Sequence, residues 1–170
     1  DTGMGRIGCF PNEAAPLAKE ITEQNILKLA GTITHFAVSD SITTENQEFT
    51  KKQYNDFVQA IENIKKEGIN PGIRTCSSSA ALFAFPEMQM DMVRPGIVIY
   101  GYYPDEITKD FLKNKGIDVD LKPVMQLETS VVAIKKITKG TSISYGRTWI
   151  AQNDTTIAVA DKGIYIVKVT

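Results

Sequence analysis

Residues 29–38, LAGTITHFAV, are the stretch that decides the fold. The segment is short and apolar, and it contains no Asp, Glu, Lys or Arg. Its β-branched and aromatic residues predict a buried strand. Strands of that kind are typical of parallel sheets covered by helices. His35, a residue capable of acid–base chemistry, lies toward the C-terminal end of this strand.

Helices and strands alternate on both sides of this strand. The predicted order is a helix over 12–23, the strand over 29–38, a helix from Thr50 to Gly68, a strand over 73–76, a helix over 79–85 and a strand over 90–93. Thr50 and Gln53 have the spacing of a capping box, and Gly68 suits the left-handed residue that ends a helix. The alternation predicts an α/β fold with right-handed crossovers.

The glycine-rich opening, residues 1–8, has the composition of a loop that follows a strand. We therefore expect the chain to be a piece of a larger protein, with a further strand before Asp1. Four parallel strands do not close a (β/α)8 barrel, but they equal half of one. This part of the chain is thus predicted to be a partial TIM-type barrel.

The pattern changes to an all-β segment after residue 120. Apolar and polar residues alternate with a period of two over 125–133, which predicts a strand. Further strands are predicted over 142–145, 155–159 and 163–169. We therefore expect a partial barrel domain over residues 1–120 and the start of a β domain over residues 121–170.

Composition and charge exclude several classes of function. The 170 residues carry a net charge of −1, with 42% hydrophobic and 23% charged residues, which is typical of a soluble globular protein and not of a nucleic-acid-binding one. Apolar runs such as 97–100 are far too short to cross a bilayer. Cys9 and Cys76 are expected to be free thiols, and a single histidine excludes a His-rich metal site. We expect a cytoplasmic protein whose partner is a small molecule.

Polar residues follow the predicted parallel strands where each strand ends. They are Gly3, Gly5 and Arg6, then His35, then Ser77–Ser79, and then Arg94–Ile97. In barrel enzymes this edge carries the active site, and the loops after the last strands often hold a phosphate. Ser79 and Gly96 would suit a phosphate ester, with Arg6 and Arg94 at the same mouth.

Each of these features also has an ordinary structural interpretation. A triple serine before a helix commonly caps it, Arg94 could be a surface residue, and His35 could be a hydrogen-bonded core histidine. The glycines of residues 3–5 are not a dinucleotide fingerprint, because the third glycine and the later acidic residue are not in place. All four polar sites nevertheless fall at the ends of predicted strands, and this shared placement favours a functional interpretation over the structural one.

Six blocks of the sequence resemble, in order, the blocks of bacterial alanine racemases. They are DTGMGRIG (1–8), THFAVSD (34–40), SSSAAL (77–82), DMVRPGIVIYG (91–101), LKPVMQLETSV (121–131) and SYGRTW (144–149). The resemblance implies a fold-type III enzyme that uses pyridoxal 5′-phosphate (PLP) and interconverts L-alanine and D-alanine for D-alanine and peptidoglycan supply. It implies that this chain holds barrel strands six to eight and the start of the C-terminal β domain. It also implies that the intact protein is a homodimer.

The resemblance assigns roles to several residues. Arg6 resembles the arginine that binds the substrate carboxylate, and His35 resembles the histidine that links Arg94 to a catalytic tyrosine. Arg94 resembles the arginine that donates to the pyridine nitrogen of PLP, where a guanidinium that keeps its proton favours racemisation over transamination. The phosphate-binding residues implied are Ser79, Gly96 and Ile97. Ser78 stands where the family commonly has an asparagine near the cofactor.

The resemblance also leaves positions unmatched, so we assign no catalytic residue. No residue matches the PLP lysine. The resemblance makes the tyrosine of a Gly-Tyr-Ala-Asp-Gly block the second proton-transfer base, but Tyr165 lies one residue off that position, and a shift of one residue in a strand points the side chain to the other face. The chain is therefore expected to lack both the PLP lysine and the catalytic tyrosine. Thr75 replaces a histidine that supports the pyridine-binding arginine. The Ser-rich block at 77–79 resembles racemases that also accept serine. A serine or broad-specificity racemase and an inactive fragment therefore stay open as alternatives.

Overall fold

The computed structural model describes residues 1–125, 128–160 and 163–165. The chain divides into two compact units, Asp1–Val124 and Met125–Thr170. The elements of the first unit are α1 (Ala14–Glu23), β1 (Gly31–Ile33), α2 (Thr44–Lys66), β2 (Ile73–Thr75), α3 (Ser79–Ala84) and α4 (Lys109–Asn114). Short 3-10 helices cover Pro11–Glu13, Pro86–Met88 and Ile97–Tyr100.

Strands β1 and β2 form a parallel pair, as the alternating pattern predicted. Gly31 pairs with Ile73, and Ile33 pairs with Thr75. The predicted strand over 29–38 is too long, because β1 ends at Ile33. Beyond Thr34, the backbone groups of His35 and Ala37 bond to a side chain of α2 instead of to a neighbouring strand.

The strand predicted over 90–93 is wrong. In its place an isolated bridge joins Ser78 and Arg94. The carboxylate of Asp91 accepts a hydrogen bond from the backbone N–H of Arg74 at 2.8 Å, while the N–H of Asp91 donates to the carbonyl of Arg74 at 3.1 Å. The Asp91 side chain thus takes up the backbone N–H of Arg74, which a strand next to β2 would need as a donor. Residues 90–93 therefore form no strand beside β2.

Helix α2 begins earlier than the sequence indicated. Its N-cap is Thr43, whose hydroxyl accepts from the backbone N–H of Asn46. Thr50, the predicted cap, lies buried inside the helix and donates to the carbonyl of Asn46 at 3.0 Å. The predicted end is confirmed, because Gly68 follows the helix with a φ of +75°.

The hydrophobic core of the first unit joins the predicted buried face of α2 to the helical segments that follow β2. Its largest members are Phe36, Phe57, Ile61, Phe85, Met88, Ile107 and Leu112. Each such side chain contributes about 1.5–3 kcal/mol by leaving water. This burial holds the ends of β1 and β2 and the start of α3 in fixed positions, from which the polar loops extend.

The second unit is built from antiparallel strands. It agrees with the all-β segment that the sequence predicted. β3 (Val131–Ile137) pairs with β6 (Thr155–Ala160), and β6 pairs with β7 (Gly163–Tyr165). β4 (Ser142–Ile143) pairs with β5 (Trp149–Ile150) around a 3-10 turn over Tyr145–Arg147. β5 was not predicted, and the strand predicted over 142–145 stops at Ile143. Residues 126–127 of the first predicted β strand and residues 166–169 of the last lie outside the described residues.

Candidate functional site

A cavity of about 360 Å³ in the first unit brings most of the predicted site residues together. It is lined by Met4, His35, Phe36, Ala37, Ser39, Asp40, Ser78, Ser79, Ala80, Arg94, Gly96, Ile97 and Pro104. Arg6 is not among these residues. It lines a smaller cavity of about 100 Å³, which shares Met4 and His35 with the larger one. The larger cavity, called here the Arg94 cavity, lies where the sequence placed the strand ends.

Arg94 is held by three uncharged partners. Its Nη1 donates to the hydroxyl of Thr75 at 2.7 Å, and its Nη2 donates to the carbonyl of Thr34 at 3.0 Å. Nη2 also lies 3.3 Å from Nδ1 of His35. No ion pair between described residues includes Arg94. Since a guanidinium carries five N–H donors, donors remain for a molecule in the cavity.

Burial fixes the charge states of this pair. Burial lowers the pKa of Arg94, but the ordinary pKa of a guanidinium is so high that Arg94 stays protonated near neutral pH. The pKa of His35 is also lowered, first by burial and then by the positive charges of Arg94 and Arg6. His35 is therefore neutral at pH 7. Because Arg94 can only donate, Nδ1 of His35 is the acceptor and its proton resides on Nε2.

Ser79 and Gly96 form a second polar cluster in the Arg94 cavity. The buried hydroxyl of Ser79 accepts from the N–H of Gly96 at 2.7 Å, and more weakly from the N–H of Val98 at 3.5 Å. A Cβ on residue 96 would lie 3.7 Å from that hydroxyl oxygen. Ser78 precedes α3 without making a side-chain capping bond. The hydroxyl proton of Ser79 has no acceptor among the described residues, so it is free for a ligand oxygen.

The loop at residues 1–8 is folded around the carboxylate of Asp1. Its oxygens accept hydrogen bonds from the backbone N–H groups of Gly3, Gly5 and Arg6 at 2.9–3.0 Å. Gly5 has a φ of +66°, which an L side chain adopts only with strain. The loop presents the exposed Arg6 side chain beside His35, and Arg6 has no ion-pair partner among the described residues.

Sequence reasoning missed three residues that the structure brings forward. Thr75 was noted only as a departure from the family, yet its hydroxyl is the closest partner of Arg94. Gln53 was assigned to a helix cap, yet it is fully buried and bonds to the segment after β1. Its signal in the sequence is a polar side chain on the apolar stripe of α2, four residues before Phe57.

The third missed residue, Tyr145, lies in the second unit and is 99% exposed. It lies between Ser144 at φ +62° and Gly146 at φ +71°, and Arg147 follows at φ +52°. Left-handed conformations of non-glycine residues are strained and cluster at functional sites. Tyr145 belongs to the SYGRTW block at 144–149, but the strain itself appears only in the backbone angles.

Several negative findings apply to the part of the chain that the structure describes. No group of three or more His, Cys, Asp or Glu side chains there could hold a metal ion. No helix in that part is long and apolar enough to span a membrane. Cys9 and Cys76 are free thiols, as predicted.

Family models match both units of the chain. Residues 1–104 match the model described as alanine racemase, N-terminal domain, and residues 124–165 match alanine racemase, C-terminal domain. The chain belongs to the alanine racemase family. The match to two models of one enzyme confirms the resemblance stated from the sequence blocks.

Individual alanine racemases agree with this assignment. The alanine racemase of Treponema denticola is 50% identical over 163 residues, covering 96% of this chain and 41% of the relative. That of Clostridium novyi is 42% identical, covering 96% of this chain and 40% of the relative. A crystal structure of alanine racemase from Bacillus anthracis with bound L-Ala-P has a TM-score of 0.71 at 33% identity, covering 94% of this chain and 40% of that one. The chain thus spans about two fifths of the length of these relatives.

Proposed function

We propose that this chain supplies part of the PLP-binding site of an alanine racemase, an isomerase that interconverts L-alanine and D-alanine. The observation that carries the proposal is Arg94, a partly buried guanidinium with uncharged partners and free donors in a cavity of about 360 Å³. A cofactor that needs a protonated pyridine nitrogen would call for a carboxylate at this position. A permanent cation that keeps its own protons fits an enzyme that racemises.

The residues of the Arg94 cavity fit PLP in chemistry and in placement. Ser79, Gly96 and Ile97 would hold the phosphate, because the free hydroxyl proton of Ser79 lies beside a position without a side chain, and the N–H of Gly96 orients that hydroxyl. Arg94 would donate to the ring nitrogen, and Ser78 would lie beside the cofactor. When bound, PLP supplies an electron sink that lowers the pKa of the Cα–H bond of the amino acid.

The remaining side chains would bind the substrate and fix charge. Arg6 would hold the substrate carboxylate, because its guanidinium is exposed at the neighbouring cavity. Neutral His35 would keep Arg94 in place through Nδ1 and leave Nε2–H as a donor. That donor would reach the tyrosine that the resemblance assigns as its partner.

Racemisation needs a proton-transfer group on each face of Cα. Tyr145 is our candidate for one of them, because its phenol is exposed, lacks a hydrogen-bond partner among the described residues and lies on a strained turn. No described residue is our candidate for the PLP lysine. We therefore propose that the chain covers barrel strands six to eight and the start of the β domain, with a boundary near residue 120, and that activity requires the rest of the enzyme as a cytoplasmic homodimer.

A binding experiment tests the cofactor site directly. Pyridoxine 5′-phosphate carries the ring and phosphate of PLP but no aldehyde, so it does not react with surface lysines. We expect it to shift the NMR signal of His35, which lines the cavity, and inorganic phosphate to compete. Arg94→Met should weaken binding about tenfold or more, which is the loss of one charge-assisted hydrogen bond. Arg74→Met is the matched control. Arg74 lies on β2 and is paired to exposed Asp91, so its loss should leave binding unchanged.

Serine is the second candidate substrate, on the Ser-rich block at 77–79. The relatives that match are named alanine racemases, which favours alanine. Comparing L-alanine with L-serine in a racemase containing this segment separates the two candidates, and a preference for serine would overturn the assignment of alanine.

A further inference from the structure

Gln53 is a fully buried amide that the proposed function does not use. Its side chain is 0% exposed on α2, where the buried residues other than Thr50 and Gln53 are apolar. Its Oε1 accepts from the N–H of Ala37 at 2.9 Å. Its Nε2 donates to the carbonyl of His35 at 3.2 Å and to the hydroxyl of Thr2 at 3.4 Å.

These bonds connect two separate segments that carry site residues. Thr2 belongs to the loop that presents Arg6, and its hydroxyl lies 2.6 Å from the hydroxyl of Thr34. His35 and Ala37 line the Arg94 cavity, and the carbonyl of Thr34 accepts from Arg94. One amide on a rigid helix therefore reaches both sides of the Arg6–His35–Arg94 cluster.

No other described group replaces these bonds. The N–H of Ala37 and the carbonyl of His35 have no backbone partner in the part of the chain that the structure describes. A glutamine amide has one acceptor oxygen and two N–H donors, and all three functions are used here. Replacing Gln53 by an apolar residue would leave both backbone groups unpaired beside a core, where unpaired polar groups are unfavourable.

We infer that Gln53 is the positioning residue of the site: its amide fixes the 35–37 segment and the Thr2 loop so that the imidazole of His35 meets the guanidinium of Arg94. The inference rests on the proposed function, because positioning matters only if Arg94 and His35 serve the cofactor. Its test requires no PLP, so the two can fail separately.

Thr50 provides a matched control on the same helix. Both Thr50 and Gln53 are 0% exposed, but the hydroxyl of Thr50 bonds only to the carbonyl of Asn46 within α2. Thr50→Val therefore removes a buried hydrogen bond and keeps the shape without touching the segment after β1. Gln53→Met likewise keeps the length of the side chain and removes its hydrogen bonds.

The single histidine of the chain makes the readout specific. With labelled histidine, the pKa of His35 is followed by NMR in the unaltered chain and in both variants. The charged groups that act on this imidazole are Arg94 and Arg6, and Asp40 lines the same cavity. We expect the pKa of His35 to rise toward its ordinary value in Gln53→Met, because the ring leaves Arg94 and gains water, and to stay unchanged in Thr50→Val.

Hydrogen exchange of the Ala37 amide gives a second measurement that needs no variant. In the unaltered chain we expect this amide to exchange slowly, and in Gln53→Met about tenfold faster. An Ala37 amide that exchanges as fast as an exposed loop amide in the unaltered chain would overturn the inference. So would a folded Gln53→Met whose His35 pKa equals that of Thr50→Val, because Gln53 would then support only the core.

Discussion

The helix side and the strand side of the first unit differ in how well their apolar side chains are buried. On one side, α2 packs Phe57, Ile61 and Ile64 into the core, each 2% exposed. On the other side, Ile33 of β1 is 58% exposed and Ile73 of β2 is 53% exposed. By the strand register and alternation, these isoleucines share a face with Thr75, the partner of Arg94. The helix side stabilises the unit, whereas the strand side carries the site at its end and exposes apolar surface below it.

The largest effect should come from opening the helix side. Phe57→Ala should lower the free energy of unfolding by about 3–5 kcal/mol, because it removes a buried aromatic ring and leaves a cavity. Phe49→Ala, on the same helix but 40% exposed, should cost about 1 kcal/mol or less. Urea denaturation monitored by circular dichroism measures both. Equal losses at the two positions would mean that α2 does not carry the core.

The strand side should control association. Exposed apolar strand faces and open sheet edges favour self-association, so we expect the chain to sediment as more than a monomer. Ile33→Thr combined with Ile73→Thr should shift it toward the monomer, because β-branched threonine keeps the strand and lowers its apolarity. Stability should change by about 1 kcal/mol or less, since both side chains are already exposed. A monodisperse unaltered monomer in analytical ultracentrifugation would contradict this comparison.

The site at the end of the strands should respond to acid. The folded state lowers the pKa of His35, so the unfolded chain binds the proton more readily. Stability should therefore be full above the ordinary value near 6.5 and fall as the pH drops below it toward the lowered pKa. Thermal unfolding across this range should show the loss, and His35→Asn should flatten it. If His35→Asn loses stability in acid as the unaltered chain does, other groups cause the acid sensitivity.

The smallest effect is expected at Arg74 and Asp91, on the outer side of β2. Their ion pair is 2.6 Å long but exposed, and it lowers the pKa of Asp91 to about 2. Its contribution should be present above the ordinary value near 3.8 and disappear as the pH falls toward about 2. Asp91→Asn at pH 7 should lower the melting temperature only slightly, and this change should be smaller still in high salt. A large loss would mean that the carboxylate has a further structural role.

The sequence alone predicted the parts of this fold that depend on local patterns. The apolar stripe of α2 and the left-handed Gly68 follow from neighbouring residues. The alternation over 125–133 predicted a strand there, but residues 128–130 are not in a strand and β3 begins only at Val131. The polar residues of the Arg94 cavity were predicted because the ends of parallel strands meet at one edge. Arg6 was expected at the same mouth and lies instead in the smaller neighbouring cavity.

The remaining features depend on hydrogen bonds between residues far apart in the sequence. Gln53 ends β1 by binding the backbone of 35–37, and Asp91 takes the amide of Arg74 where a strand was expected. Neither contact leaves a periodic signal, because a single side chain replaces a backbone partner. Tyr145 was passed over for a related reason, since strain at Ser144 and Arg147 is visible only in the backbone angles.

Activity of a chimeric enzyme tests the assigned roles of Arg6, Arg94 and Tyr145 together. The 163 matched residues of this chain would replace the corresponding stretch of the Treponema denticola alanine racemase, which is 50% identical over that stretch. With PLP and L-alanine, chiral chromatography measures D-alanine. We expect the chimera to form D-alanine. Arg6→Ala, Arg94→Met and Tyr145→Phe should each reduce its activity about a hundredfold or more, as expected for groups acting in the transition state. A folded, PLP-loaded chimera that is inactive, or one whose activity survives Arg94→Met, would contradict these roles.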